Sequence, residues 1–160
     1  MDKNTGKISL AGIPYQTKIT DHYKSLDFPE NLAPMVGAIL NSSFAYWWFV
    51  LYSDGRDLLS DTILSMPIDL TRIPEYLKSS LTAKSIALME DFERNSNLKV
   101  NIRKGGYAIK IKEIIPKKSV SIISDIDNLI SVAFSLTVDE SEFIKSFDLG
   151  FRMGNGASEE

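Results

Sequence analysis

The chain of 160 residues has no cysteine and a single histidine, His22. Disulfides and thiolate metal sites are therefore excluded, as is a centre built from several histidines, and nothing in the chain requires an oxidising compartment. The first twelve residues, MDKNTGKISLAG, hold no apolar core of the kind a signal peptide needs, which points to the cytoplasm. No phosphate-binding loop occurs, and no GxGxxG; Gly154-Asn-Gly156 stands near the end of the chain rather than between a strand and a helix. The Glu-x-Lys step of metal nucleases is absent throughout, and His22 has no serine or cysteine nucleophile near it. Asp125 and Asp127 lie two apart in a helical stretch, so their side chains leave it in different directions. No catalytic centre, cofactor site or metal site follows from these residues. The expectation is a non-catalytic piece.

Excess positive charge is missing too. The net charge is -3, with a pI near 5.3. This argues against a surface that binds nucleic acid all over, since phosphate contacts come from clustered Lys and Arg. A local basic patch on an acidic body stays open. Hydrophobic residues make up 44% of the chain and charged residues 24%, which suits a protein that buries a real core.

What is present is organised around Leu32 to Ser53, LAPMVGAILNSSFAYWWFVLYS, which carries no charge and holds both tryptophans. Taken as one helix, Val36, Leu40, Phe44, Trp47 and Leu51 fall three or four apart, and Ile39, Ala45, Trp48, Phe49 and Tyr52 widen the stripe around most of the circumference. Such a helix belongs in a core or a bilayer. Its length meets the ~20 residues of a membrane span. Against a span stand Asn41-Ser42-Ser43 in the middle, Pro34 near the start, no flanking Lys/Arg cluster and a mean hydropathy of -0.06. The expectation is a buried central helix, capped by Asn31, whose far end presents Ser53, Asp54, Gly55 and Arg56.

Around it, residues 7 to 20 predict two short strands about a turn, with Gly12 and Pro14 as punctuation. Residues 58 to 70, with Pro67 among Ile63, Leu64, Met66 and Ile68, suggest a short edge strand. Residues 74 to 95 predict a helix with Pro74 in its first turn and an apolar stripe of Leu77, Leu81, Leu88 and Phe92 helped by Ile86 and Met89. Leu98 to Ile102 and Tyr107 to Lys112 predict a hairpin joined by Arg103-Lys104-Gly105-Gly106. Its apolar residues are expected on one face. Lys99, Arg103, Lys104, Lys110 and Lys112 then make either a basic surface or a lysine-protected edge. Residues 119 to 134 predict a helix with Ile122, Ile126, Leu129 and Val132 inward, joined by Ile123 and Ile130. Thr137 to Glu140 has the form of a capping box. The fold class expected is α+β: a long buried central helix plus further helices packed on a small, mainly antiparallel sheet. Residues 1–116 form the main unit, 117–154 a C-terminal helical segment and 155–160 a disordered tail.

Two segments resemble a known family. The first, residues 38 to 68, reads AILNSSFAYWWFVLYSDGRDLLSDTILSMPI. It is similar to the pattern of Leu-Asn-Ser, aromatics, loop and a short strand ending in Pro found in target recognition domains of adenine-specific DNA methyltransferases. These are single-chain type II restriction–modification enzymes, including those with a TaqI-like C-terminal specificity domain. The second, residues 112 to 154, resembles the C-terminus of the same enzymes, with Phe151-Arg-Met-Gly154 kept and Phe134-Ser-Leu-Thr137 in place of a Tyr-Gly-Leu-Thr-like turn, so that Ser135 replaces the glycine. The resemblance implies the C-terminal piece of a larger enzyme or a separate specificity subunit. The Asn/Asp-Pro-Pro-Tyr motif and cofactor glycine loop of the family are not in this sequence. The implied partners are double-stranded DNA and the methyltransferase or nuclease domain of the parent protein, with no membrane and no cofactor of its own. Candidate DNA-binding residues are Ser53, Asp54, Gly55 and Arg56 in one loop and Arg103 and Lys104 in the hairpin turn. Tyr15, Lys18 and Lys24 are lesser candidates. Arg56 would contact guanine or else pair with Asp54 or Asp57 on the surface. The alternative is a module that docks on the methyltransferase or nuclease body and touches DNA little.

Overall fold

The apolar stretch does not form one helix. In the computed structural model, it folds as α1 (Ala33–Leu40) and α2 (Ser43–Tyr52), which meet at a bend of 66°. The structure describes residues 7–10, 13–16, 28–56, 60–103 and 107–152, with side chains for 28–56, 61–102 and 110–150. The three polar residues in the middle of the stretch make the break. Asn41 Nδ2 donates to the Gly37 carbonyl at 2.8 Å, and Ser42 Oγ donates to the Ile39 carbonyl at 2.6 Å, closing α1. Ser42 is extended (φ -84°, ψ 165°), and its Oγ accepts from the Ala45 N–H at 3.2 Å, so it is the N-cap of α2. At the other end, Asn31 does not cap α1: the cap position is Leu32, with no side-chain bond.

The remaining elements follow in order. β1 (Lys7–Leu10) and β2 (Ile13–Gln16) pair antiparallel, so two strands form as expected. Pro14, expected as turn punctuation before a strand through Tyr15, Thr17 and Ile19, instead lies inside β2 opposite Ser9, and Thr17 and Ile19 lie outside the described residues. Residues 58 to 70 contain no edge strand among the described residues. Instead Ser60–Leu64 forms a short helix, α3, because local bonds such as Ser65 N–H to the Asp61 carbonyl (2.9 Å) satisfy the backbone. α4 (Glu75–Asn95) starts directly after Pro74, with Glu75 in its first turn. β3 (Asn97–Arg103) and β4 (Tyr107–Glu113) form the expected antiparallel hairpin. A 3₁₀ turn, Pro116–Ser119, leads into α5 (Val120–Ala133). α6 (Val138–Ser146) opens on the capping box, with Thr137 accepting from the Glu140 N–H and Glu140 accepting from the Thr137 N–H. These bonds from Thr137 hold the Glu140 carboxyl below its ordinary pKa. α7 (Leu149–Arg152) closes the described chain, and the tail expected at 155–160 lies outside it.

The class is α+β, and the helices pack mainly on one another. Met35, Ala38 and Ile39 of α1 meet Leu77, Leu81 and Leu88 of α4 and Ile123, Ile126 and Ile130 of α5 in one core, with Ile144 of α6. α1 comes close to α4 at Gly37, where an added Cβ would lie 3.1 Å from Ser85 Oγ. Two expected inward groups face out. Ile86 and Met89 of α4 are exposed, and so is Val132 of α5, because the buried face of α5 runs through Ile123, Ile126, Asp127 and Ile130 instead. No single helix among the described residues is long and apolar enough to cross a membrane; α1 and α2 reach that length only together, across their bend.

α5 ends in a Schellman arrangement. The Leu136 N–H donates to the Ser131 carbonyl at 2.9 Å and the Ser135 N–H to the Val132 carbonyl at 3.2 Å. Ser135 thereby takes φ 53°, the left-handed conformation that glycine adopts at least cost. Ser135→Gly should stabilise the protein by up to about 1 kcal/mol in denaturant unfolding: relief of a left-handed side chain gains about 1–2 kcal/mol, and the freer unfolded chain of glycine takes back about 0.4–1 kcal/mol. A loss of stability on that change would show that the Ser135 side chain contributes more than its backbone costs.

Candidate nucleic-acid interface

The loop after α2 is built by its own side chains. Ser53 N–H still donates to the Phe49 carbonyl at 3.0 Å, after which the chain turns. Ser53 Oγ accepts from the Gly55 N–H, and Asp54 Oδ1 accepts from the Arg56 N–H, both at 3.0 Å. Gly55 sits at φ 72°, so this turn needs glycine there. The four candidates therefore divide. Ser53, Asp54 and Gly55 shape the turn, and Arg56 is the exposed side chain that the turn presents.

The helix beneath this loop is anchored. Trp48 Nε1 donates to the Thr62 carbonyl of α3 at 3.2 Å, and Trp48 stacks on Tyr52 with ring centroids 3.9 Å apart. Phe44, buried at the other end, packs against Trp47 and against Phe134 at the end of α5 (centroids 5.8 and 5.1 Å). Val50, Leu51 and Tyr52 are exposed along the last turn of α2, and Leu64 along α3. Helical spacing alone assigns Leu51 and Tyr52 to a buried stripe; only their position at the charged end of the stretch hints that they face out.

The hairpin does not carry one basic face. Arg103 pairs with Tyr107, so three residues lie between the strands rather than the four expected. This one-residue difference reverses the faces. Leu98 lies opposite Lys112 and Val100 opposite Lys110, whereas Lys99 lies opposite Ile111. The apolar residues of β3 thus share a face with the lysines of β4, and Lys99 is on the other side. Two of these lysines are ion-paired: Lys99 Nζ is 2.5 Å from Glu113 Oε1, and Lys112 Nζ is 2.6 Å from Glu93 Oε1. Exposed pairs of this kind add little stability, but they offset the positive charge locally. The side chains of Arg103 and Tyr15 lie outside the described residues, as do Lys104, Lys18 and Lys24 entirely. α2 packs on α1, α3, α5 and α6, while β4 of the hairpin lies beside β2, so the helix that leads to Arg56 and the hairpin strands have different packing partners.

The helix break holds a buried acid that sequence patterns do not single out. Asp127 of α5 accepts from the Ser43 N–H at 2.7 Å through Oδ1 and from Ser43 Oγ at 2.5 Å through Oδ2. A carboxylate at the first N–H of α2 also suits the positive end of that helix. Its neighbour Asp125 points away, to Lys84 of α4 at 2.7 Å, as the two-residue spacing requires. A groove of about 300 Å³ opens beside this break, lined by Leu40, Ala45, Phe49, Met66, Phe92 and Ile123 together with Asn41, Ser42, Tyr46 and Pro116. It brings together no set of titratable groups that could perform acid–base or nucleophilic chemistry. Among the described residues no three His, Asp or Glu side chains are placed to hold a metal.

No family model matches this chain, and no curated protein or solved structure matches it either.

Proposed function

We propose that this chain is a cytoplasmic, non-catalytic DNA-recognition piece of a restriction–modification adenine methyltransferase. It holds duplex DNA while a catalytic domain outside this chain flips and methylates the base. The observation that carries this reading is the turn at Ser53–Arg56, where two side-chain bonds and a left-handed glycine present an exposed arginine from the end of an anchored helix. An arginine whose backbone is set in this way can offer its guanidinium to a guanine edge for bidentate contact. A second support is Ser135, which has the left-handed backbone at the position where the family's turn carries glycine.

Fluorescence anisotropy with a labelled duplex tests the assignment of residues. Arg56→Ala should weaken binding by about 1–3 kcal/mol if the arginine reads a base. Arg103→Ala with Lys104→Ala should weaken it across all sequences and lower its salt dependence, as phosphate contacts do. The Arg56 variant should keep the parent protein's stability within about 0.5 kcal/mol, as an exposed position does. Unchanged binding in both would remove these residues from the interface.

A second reading is favoured by the exposed apolar side chains of Val50, Leu51, Tyr52 and Leu64 and by the pairing of Lys99 and Lys112 with acids. In that reading the chain docks on the methyltransferase or nuclease body and leaves DNA contact to other parts of the parent enzyme. Binding to that body with no affinity for duplex DNA would favour it.

A further inference from the structure

We infer that β3 is a self-complementary edge through which two copies of this chain pair. Among the described residues its only ladder partner is β4, and every residue from Asn97 to Ile102 is exposed. β2 lies by β4 rather than by β3, and among the described elements β4 alone makes more than marginal contact with β3. An open edge presents a row of backbone N–H and C=O groups to any extended chain.

Natural edges are usually guarded by a lysine that projects over them. Here Lys99 stands in the middle of the strand, but its ammonium is drawn back across the hairpin to Glu113 of β4. The apolar residues alternate at Leu98, Val100 and Ile102, which are 58%, 44% and 73% exposed.

The order of residues selects both the occupant and the register. In an antiparallel pair of β3 strands with the two-fold axis at Val100, Leu98 of each copy lies opposite Ile102 of the other, and Lys99 lies opposite Asn101. Six apolar side chains then fall on one face with no cation directly across from another. Moving the axis to Lys99 sets two lysines face to face, and moving it to Asn101 sets Lys99 against Arg103; like charges directly opposite destabilise a sheet. One register is favoured on charge and on apolar matching. Either hydrogen-bonding parity at the outer edge accommodates it, because directly opposed residues alternate between the two kinds of pair. A single strand pairing buries less than the ~1,200 Å² of a stable interface, so the dimer forms and dissociates with concentration.

The lack of cysteine makes the test direct. In this register the two copies of residue 100 are opposed, with Cα atoms about 4.5–5.5 Å apart, within the range a disulfide spans. Val100→Cys should therefore cross-link rapidly under mild oxidant at concentrations where the parent protein dimerises by sedimentation equilibrium. Leu98→Cys should cross-link slowly, since the two copies of residue 98 lie four residues apart along the pair. Val100→Lys should leave the circular dichroism and melting temperature nearly unchanged while abolishing dimerisation. A parent protein that stays monomeric up to millimolar concentration would overturn the inference, whatever the cysteine variants do. Equal cross-linking at 98 and 100 would overturn it as well. So would an extended peptide from another protein that binds the edge of a strictly monomeric chain, which would assign the edge to that partner instead.

Discussion

Replacing Asp127 with alanine should lower the melting temperature by roughly 6–12 °C, because it strips two charge-assisted hydrogen bonds from a buried site. Each such bond contributes about 1.5–3 kcal/mol, and the loss also leaves the Ser43 N–H and hydroxyl without their acceptor. Taking the lower end for the two bonds together, ~3 kcal/mol, a chain of this length shifts by about 2–4 °C per kcal/mol. The effect should exceed that of Asp125→Ala, since Asp127 is 7% exposed and its neighbour Asp125 sits on the surface. Asp127→Asn should cost less than the alanine change: its carbonyl still accepts from the Ser43 N–H, and its amide can donate to Ser43 Oγ. Differential scanning calorimetry of these proteins reads the order directly. If alanine and the parent melt together, α5 does not hold the break between α1 and α2.

Phe44→Ala should be comparably damaging, at about 3–5 kcal/mol in denaturant unfolding, the cost of removing a buried aromatic ring from a core that closes only partly around the cavity. Phe44 is 7% exposed and sits between Trp47, Trp48 and Phe134, so its loss opens the contact between α2 and the end of α5. Trp47→Ala should cost less, despite the larger ring, because Trp47 is only partly buried against the core. The sequence alone does not separate the two, since Phe44 and Trp47 stand on the same stripe. Equal losses at both positions would mean that the half-exposed indole contributes as much as the enclosed phenyl.

These two sites show what a linear sequence reveals and what it hides. α4, the hairpin, α5 and the capping box at Thr137 are legible because each has a local signature: a stripe at helical spacing, alternation around Gly-Gly, or a Thr and Glu three apart. The break between α1 and α2 is half legible. Asn41-Ser42-Ser43 weakens the case for a membrane span, yet the same residues can ride on a continuous helix unless something satisfies Ser43 from outside. Asp127 does so from 84 residues away, and no local pattern foretells that contact. What could flag it is an acid placed among Ile123, Ile126 and Ile130 on the buried side of α5.

The hairpin shows a narrower limit. Its strands are legible, but the faces turn on whether three or four residues join them, since a shift of one residue moves every side chain to the opposite face. With Arg103 paired to Tyr107, the lysines divide between the faces, and the single basic surface dissolves. The turn at Ser53–Arg56 is easier to read. Its Ser-Asp-Gly composition signals a turn, and the structure assigns three of its four residues to backbone duty and leaves the arginine outward.

Whether this chain contacts duplex DNA is decided first by binding of the whole chain to a random-sequence duplex at low and at moderate salt. A DNA-recognition piece should show a measurable affinity at low salt that falls steeply as salt rises, the mark of cations on phosphates. Its Arg56→Ala variant should bind more weakly. No binding at low salt would contradict the DNA-recognition reading and leave docking on the methyltransferase or nuclease body as the one to pursue.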